Sequence, residues 1–452
     1  IVSRRAAPLR NRLYLTMKLS IFQTVFLGIF VFSALVGLFI FATYSGKGGS
    51  ADAIGAVVIW GTLPKEGMQS TLSAAAQLNE AFKNVSYVQK DPTTLSSDIA
   101  IAIATGAAPD LILSSQEELH SLTKFITPIP LSTLSVSTFT NTFLDEGRLF
   151  TAPGAAGYYG LPFLVDPLVL FSNNSILSSN GIVRPPATWE ALTGLVPNIA
   201  ILTPAQQITR GLIALGTYEN VRNSRGILST LFLQQGIPMS AYSSQGSLAA
   251  DLGQDTSKNS PSGSAVLSFY TQFADPAKIS YTWNTSLPDS TQMFLAGDLA
   301  LYLGYVSEAR YLKAANPNLA FNVTPAPQSA TVSAKGVYGR VYAFMIPRGT
   351  QNAAGAYQAA ALLTGGAEQI AAAAATGLAP ATLNELAKIP STDPIAAISY
   401  PAALYSKGWL SPAAADVDRV FSGMIGNVIS GRSTTDTALS EAMRSFNALL
   451  QK

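Results

Sequence analysis

No cysteine occurs anywhere in the chain. That excludes disulfides, thiolate metal ligands, a cysteine nucleophile, and a lipid anchor built on a processed cysteine. Without disulfides, an exported protein must draw its stability from the size of its core. Histidine is almost as scarce: His120 stands alone, so the imidazole pairs of common zinc sites are missing. On the helix expected after the third strand, it reads as a surface residue. Charged residues make up 12% of the chain, about half the usual share. No G-x-x-x-x-G-K-[ST] loop occurs, so the chain carries no P-loop for nucleotide hydrolysis. A G-x-S-x-G nucleophile elbow is also absent.

The few charges are unevenly placed. Six of the 28 basic residues (Arg4, Arg5, Arg10, Arg12, Lys18 and Lys47) fall in the first 50 positions, which hold no acid. The remaining residues carry 22 basic against 26 acidic side chains, a net charge of −4. A basic stripe of the kind nucleic acid requires is therefore not expected in the folded part.

Long uncharged runs are also rare, with one exception. Residues 19–46 carry no charge, and Ile21 to Ala42 is almost wholly apolar. Twenty-two helical residues span about 33 Å, enough for a hydrocarbon core of about 30 Å. The expectation is a transmembrane anchor over 19–46 behind a basic cytoplasmic tail, 1–18, with the bulk of the chain outside. Residues 47–52 would be a flexible linker. A cleaved signal peptide is the alternative, but the run exceeds an ordinary h-region and no clear A-x-A site follows. Met17 is a candidate start.

At 452 residues, two or more lobes are expected. Ala53 to Trp60 reads as a buried first strand and Met68 to Asn84 as a helix. Ser86 to Val88 reads as a strand, Leu95 to Thr105 as a helix stopped by Gly106, and Asp110 to Leu113 as a third strand. That alternation predicts an α/β fold with a parallel sheet.

Several blocks then carry a resemblance. Tyr158 to Leu192 reads YYGLPFLVDPLVLFSNNSILSSNGIVRPPATWEAL, with a Gly-Leu-Pro break before an apolar run and a Pro-Pro-x-Thr-Trp helix start. Ile101 to Leu119 reads IAIATGAAPDLILSSQEEL. Later come FYTQFADP (269–276), YTWN (281–284), FLAGDLALYLGY (294–305), NPNLAFNVTPAPQ (316–328) and TGLAPATLNEL (376–386). In this order they resemble the extracellular solute-binding proteins of the maltose-binding-protein-like, sugar-binding kind.

The resemblance implies a two-lobed, type II periplasmic-binding-protein-like fold with a hinge between its lobes, here preceded by the transmembrane helix. Lobe 1 would comprise residues 53–165 and 338–379, and lobe 2 residues 166–337 and 380–452. It implies capture of a small polar ligand, most readily a carbohydrate, and delivery to an ABC-importer permease. No enzyme activity and no cofactor are implied. The protein would sit at the cell membrane with its binding part extracellular or periplasmic. A surface sensor or scaffold with the same fold and no transport role is the alternative.

Sugars stack their C–H faces on aromatic rings and bond their hydroxyls to convergent polar groups. Candidate ligand contacts are therefore Trp60 at a strand end, Trp283 in a loop-like stretch, and Tyr305 at the close of an apolar run. Asp166 and Arg340 lie at the expected crossovers, and Thr62, Ser115 and Gln116 at carboxyl ends of strands, where open α/β sheets bind ligands. Trp189 opens a helix and reads as packing. Glu117 and Glu118 are helix neighbours that face different directions, and Asp416 and Asp418 read as caps. Nothing there singles out an acid–base pair of the glycosidase type.

Overall fold

Short β-branched runs alternate with alanine-rich helices, and the computed structural model has the matching α/β architecture. It describes residues 54–451, apart from 244–245, 254–261, 332–333 and 391. The expected tail, anchor and linker lie outside the described residues. Among those described, no helix is long and apolar enough to cross a membrane.

The first half is built from β1 (Val57–Gly61), α1 (Lys65–Leu78), β2 (Val85–Gln89), α2 (Leu95–Ala104), β3 (Leu111–Ser115) and α3 (Gln116–Leu122). β1 pairs in parallel with both β2 and β3. The helix expected over 68–84 ends earlier, at Leu78. Asn79 turns extended there, and its side chain accepts from Ala81 N to start a separate 3-10 turn, Glu80–Asn84. A side chain that bonds its own backbone competes with the helix. At Gly106 a φ of +71° ends α2 as expected, since glycine takes that conformation without a Cβ penalty.

The long strand β4 (Leu161–Asn173) is buried throughout and runs about 40 Å through the molecule. Then follow β5 (Ile201–Leu202), β6 (Ile208–Ile213), α4 (Ser224–Gln234), β7 (Leu299–Tyr305), α5 (Glu308–Ala315) and β8 (Phe321–Pro325). The remainder is β9 (Val337–Met345), α6 (Ala353–Leu363), α7 (Gly366–Thr376), β10 (Ala379–Pro380), α8 (Ala396–Leu404), β11 (Ser406–Lys407), α9 (Ala414–Ile429) and α10 (Thr435–Leu450). These eleven strands form one sheet in the order β2-β1-β3-β9-β4-β7-β6-β5, with β8 and β10 on β4 and β11 on β9, and two strand pairs, 239–242 with 248–251 and 151–152 with 157–158, stand apart from it.

One sheet thus serves two halves. Up to Pro167, β4 pairs with β9, and from Leu168 onward it pairs with β7. Pro167 stands at this changeover, where a residue with no N–H to donate is tolerated inside a strand. β11 crowds the same place: a Cβ on Gly339 would lie 2.7 Å from Ser406 Oγ. α1, α6 and α7 pack by the first half, and α4, α5, α9 and α10 by the second. Residues 51–452 nonetheless form one compact unit, because β4 and β9 belong to both halves.

A candidate ligand cleft at the strand changeover

β3 runs directly into α3, and Ser115 caps the helix. Its Oγ accepts from Glu117 N at 3.2 Å, while Glu118 accepts from Ser115 N at 3.2 Å. Glu118 also accepts from the hydroxyls of Ser114 and Ser115, each at 2.8 Å. Gln116 ties this helix start to β9: its amide donates to Gly339 O at 2.9 Å and accepts from Val341 N at 2.7 Å. The capping geometry leaves Glu117 projecting toward the changeover.

The buried carboxylate of Glu117 accepts from Tyr338 Oη at 2.7 Å. Its other oxygen lies 3.3 Å from Arg340 Nε and 3.7 Å from Arg225 Nη1. Burial alone would raise its pKa, but the two guanidinium groups and the Tyr338 hydrogen bond bring it down to about 2. Arg225, from the first turn of α4, also stands 3.5 Å from Asp418 of α9. Asp418 accepts in turn from Tyr218 Oη at 2.6 Å. The guanidinium of Arg340 lies over the Tyr305 ring, 3.8 Å from its centroid, in cation–π geometry.

Charge is balanced here, but hydrogen-bonding capacity is not used up. Arg225 Nε and Nη1, Arg340 Nε and Tyr305 Oη are buried without a hydrogen-bond partner among the described residues. The carboxylates stand 3.3 to 3.7 Å away, in ion-pair contact but without hydrogen-bond geometry. Buried polar groups are rarely left in this state. Gly226 makes the arrangement possible, since a Cβ there would lie 2.5 Å from Tyr305 Oη.

Beside these groups opens a cavity of about 720 Å³, lined by Tyr218, Arg222, Arg225, Tyr305, Ser307, Glu308, Arg340 and Asp418 among others. Four arginines and four carboxylates line it, with two tyrosines and no tryptophan. Asp166 stands behind its wall. The carboxylate accepts from Ser307 N at 3.0 Å and Ser307 Oγ at 2.7 Å. Burial pushes its pKa up to about 6, against the pull of Arg340 and the Ser307 bonds. Glu308 is held by Asn223 Nδ2 at 2.7 Å, Tyr305 N at 2.8 Å and the Tyr302 hydroxyl. Among the described residues, no cluster of His, Cys, Asp and Glu could hold a metal ion.

Of the residues expected from sequence, Tyr305 and Arg340 line this cavity together. Ser115 and Gln116 build the helix start that presents Glu117, and Asp166 fixes Ser307. Thr62 lies elsewhere, its Oγ1 3.4 Å from Ser114 Oγ at the end of β1. Trp60 is half-buried, with the Lys90 ammonium 3.8 Å above its ring, so that face is covered. Trp283 departs furthest from expectation. It is fully buried in the core, and its indole N–H donates to Asn220 Oδ1 at 3.2 Å. It offers no open ring face, because its loop folds back over Phe273 through backbone bonds from Thr282 and Trp283. Trp189 is core, as read from its helix start, and donates to Gln234 at 2.7 Å. His120, expected at the surface, is half-buried.

Sequence reasoning missed Arg225, Tyr218, Ser307 and Asp418 as cavity residues, and Glu117 as the carboxylate that pairs with two of its arginines. Only Glu117 had a usable signal, its place directly after a Ser cap at a strand's carboxyl end.

A family model described as bacterial extracellular solute-binding protein matches residues 73–398. No curated protein matches the chain. Among solved structures, a cyclo/maltodextrin-binding protein complexed with maltotetraose is similar at a TM-score of 0.70 and 17% identity, over 88% of this chain and 97% of that one. The cyclic alpha-maltosyl-1,6-maltose binding protein from Arthrobacter globiformis gives 0.70 and 15%, over 88% and 99%. The Thermus thermophilus maltotriose binding protein bound with maltotriose gives 0.61 and 16%, over 87% and 99%. At these identities the likeness is one of fold.

Proposed function

The chain belongs to the bacterial extracellular solute-binding proteins, a family of binding proteins and not enzymes, and from that premise we propose that it captures a neutral carbohydrate in the cleft beside Tyr305 and Arg340. The single observation that carries this reading is the set of buried, unpartnered donors there: Arg225 Nε and Nη1, Arg340 Nε and Tyr305 Oη. A ligand with many hydroxyl oxygens satisfies such donors, and its own O–H groups find acceptors in Asp418 and Glu219, which face the same space. The equal number of lining arginines and carboxylates favours a ligand without net charge. Two of the solved structures named above hold maltotetraose and maltotriose, which supports the same class.

We place lobe 1 at residues 53–165 with 338–379 and lobe 2 at 166–337 with 380–452. Closure is a rotation of the two about β4 and β9, driven only by the ligand's preference for the closed state. Residues 19–46 anchor the chain in the cell membrane with the binding part outside, and the loaded form docks on an ABC-importer permease.

Titration calorimetry of the full chain against neutral oligosaccharides, maltotetraose included, tests the ligand class, with galacturonate oligomers as the charged contrast. Saturable binding of at least one neutral member is expected. Binding of the uronates alone would overturn the reading.

A further inference from the structure

A second concavity, of about 950 Å³, lies beside β8 and shares no lining residue with the cleft. Its walls are mostly apolar: Pro185, Pro186, Phe321, Val323, Ile395 and Tyr405. Arg184, Lys313 and Lys335 also line it, and among the described residues no Asp or Glu does. Val183, at its margin, is 93% exposed. A carboxylate-free apolar groove with three cations is unlike the cleft, where the signs balance.

β8 is also an edge strand. It pairs only with β4 among the described strands, in the register Phe321↔Asn173 to Pro325↔Val169. Asn174 N donates to Ala320 O, so Ala320 turns its polar groups toward β4. Antiparallel alternation then points the backbone groups of Phe321, Val323 and Pro325 outward. The absence of an N–H at Pro325 agrees with that parity. The chain covers the next stretch of this edge with a single bridge, Thr188↔Gln328, leaving the edge over 321–325 unpaired.

We propose that this edge and groove take up an extended segment of a partner protein in which acidic and apolar residues alternate. The segment adds as a strand beside β8, bonding the outward backbone groups of Phe321 and Val323. One face of it rests on the apolar walls, and its carboxylates meet Arg184, Lys313 and Lys335. The inference is independent of what the cleft binds.

The probe is a fluorescein-labelled, end-blocked peptide of alternating Glu and Val, measured by anisotropy on the full chain. A Lys/Val peptide of equal length is the contrast. The Glu/Val peptide should bind at least about tenfold tighter and weaken as ionic strength rises. Arg184→Glu combined with Lys335→Glu should abolish the preference. Val323→Pro removes an outward N–H without touching the β4 pairing, and should weaken binding about tenfold while the thermal unfolding midpoint stays put. If that variant fails to fold, a Glu/Val peptide N-methylated at alternate amides replaces it and should bind about tenfold more weakly. Equal affinity for both peptides, or indifference to both Val323→Pro and N-methylation, overturns the proposal.

Discussion

Arg225 Nη1 stands 3.7 Å from the carboxylate of Glu117, and the two residues open helices on different halves of the shared sheet. Glu117 serves Arg340 as well, so one buried anion offsets two guanidinium groups at the strand changeover. Removing it leaves Arg340 without its ion-pair partner and Arg225 with Asp418 alone. Glu117→Gln should therefore cost about 3–5 kcal/mol of stability, read by chemical denaturation at neutral pH. The acid limb of the pH profile gives a second check. The folded-state pKa is about 2, below the ordinary 4.5, so the stabilisation is present above about pH 4.5 and is lost as pH falls toward 2. The Gln variant should lack that acid-sensitive component. A variant as stable as the parent would contradict the role.

Glu146 behaves in the opposite sense. Both its carboxylate oxygens are buried with no partner, and burial pushes its pKa well up. The folded protein therefore keeps a proton that the unfolded chain releases in the ordinary carboxylate range. Stability contributed by this group falls as pH rises above about 4.5 toward its raised folded value. Glu146→Gln stays neutral throughout and should flatten that slope, gaining about 1–3 kcal/mol over the parent at pH 8. Parallel pH profiles of the two proteins would contradict it.

Two aromatic substitutions separate the cleft from the core. Tyr305→Phe deletes one unpartnered hydroxyl and should raise the Kd for a bound oligosaccharide about two- to tenfold, or about 0.5–1.5 kcal/mol. Its effect on the unfolding midpoint should be small. Trp283→Ala empties a fully buried site and should cost about 3–5 kcal/mol of stability. The protein that remains folded should bind as the parent does. A large loss of affinity in Trp283→Ala with stability intact would reverse these assignments.

These contrasts mark what the chain discloses without coordinates. The strands around Ile59, Leu113 and Leu170 were legible because β-branched runs between glycine and proline breaks admit few other readings. Tyr305 could be picked out because it closes such a run, whereas Asp166 and Arg340 were singled out only at the crossovers that the resemblance implies. Trp283 could not be judged, since an indole beside a polar stretch reads the same whether that stretch stays open or folds back. Glu117, Arg225 and Asp418 meet only because β4 and β9 bring three distant segments together. No local pattern records a meeting of that kind.

Arg310 clasps the two halves at a second place. From α5 it donates to Ala374 O and Ala375 O, each at 2.5 Å, at the C-terminal end of α7. A guanidinium there meets orphan carbonyls and the negative end of the helix dipole. If the proposed closure keeps this contact, Arg310→Ala should cost it about 0.3–1 kcal/mol, a rise in ligand Kd of about two- to fivefold. Calorimetric titration of parent and variant with the same oligosaccharide measures it, and an unchanged Kd would contradict it.

The claim that two halves turn about β4 and β9 to enclose a solute is open to a direct distance measurement. Because the chain has no cysteine, Val88→Cys and Ile201→Cys can be spin-labelled cleanly on the outer strands β2 and β5, where both native side chains are exposed. Electron–electron resonance distances are then recorded with and without the oligosaccharide that titrates best. The account predicts a ligand-dependent shift to a narrower distribution, and a smaller shift when Arg225→Ala is introduced. Saturating ligand that leaves the distribution unmoved would contradict it.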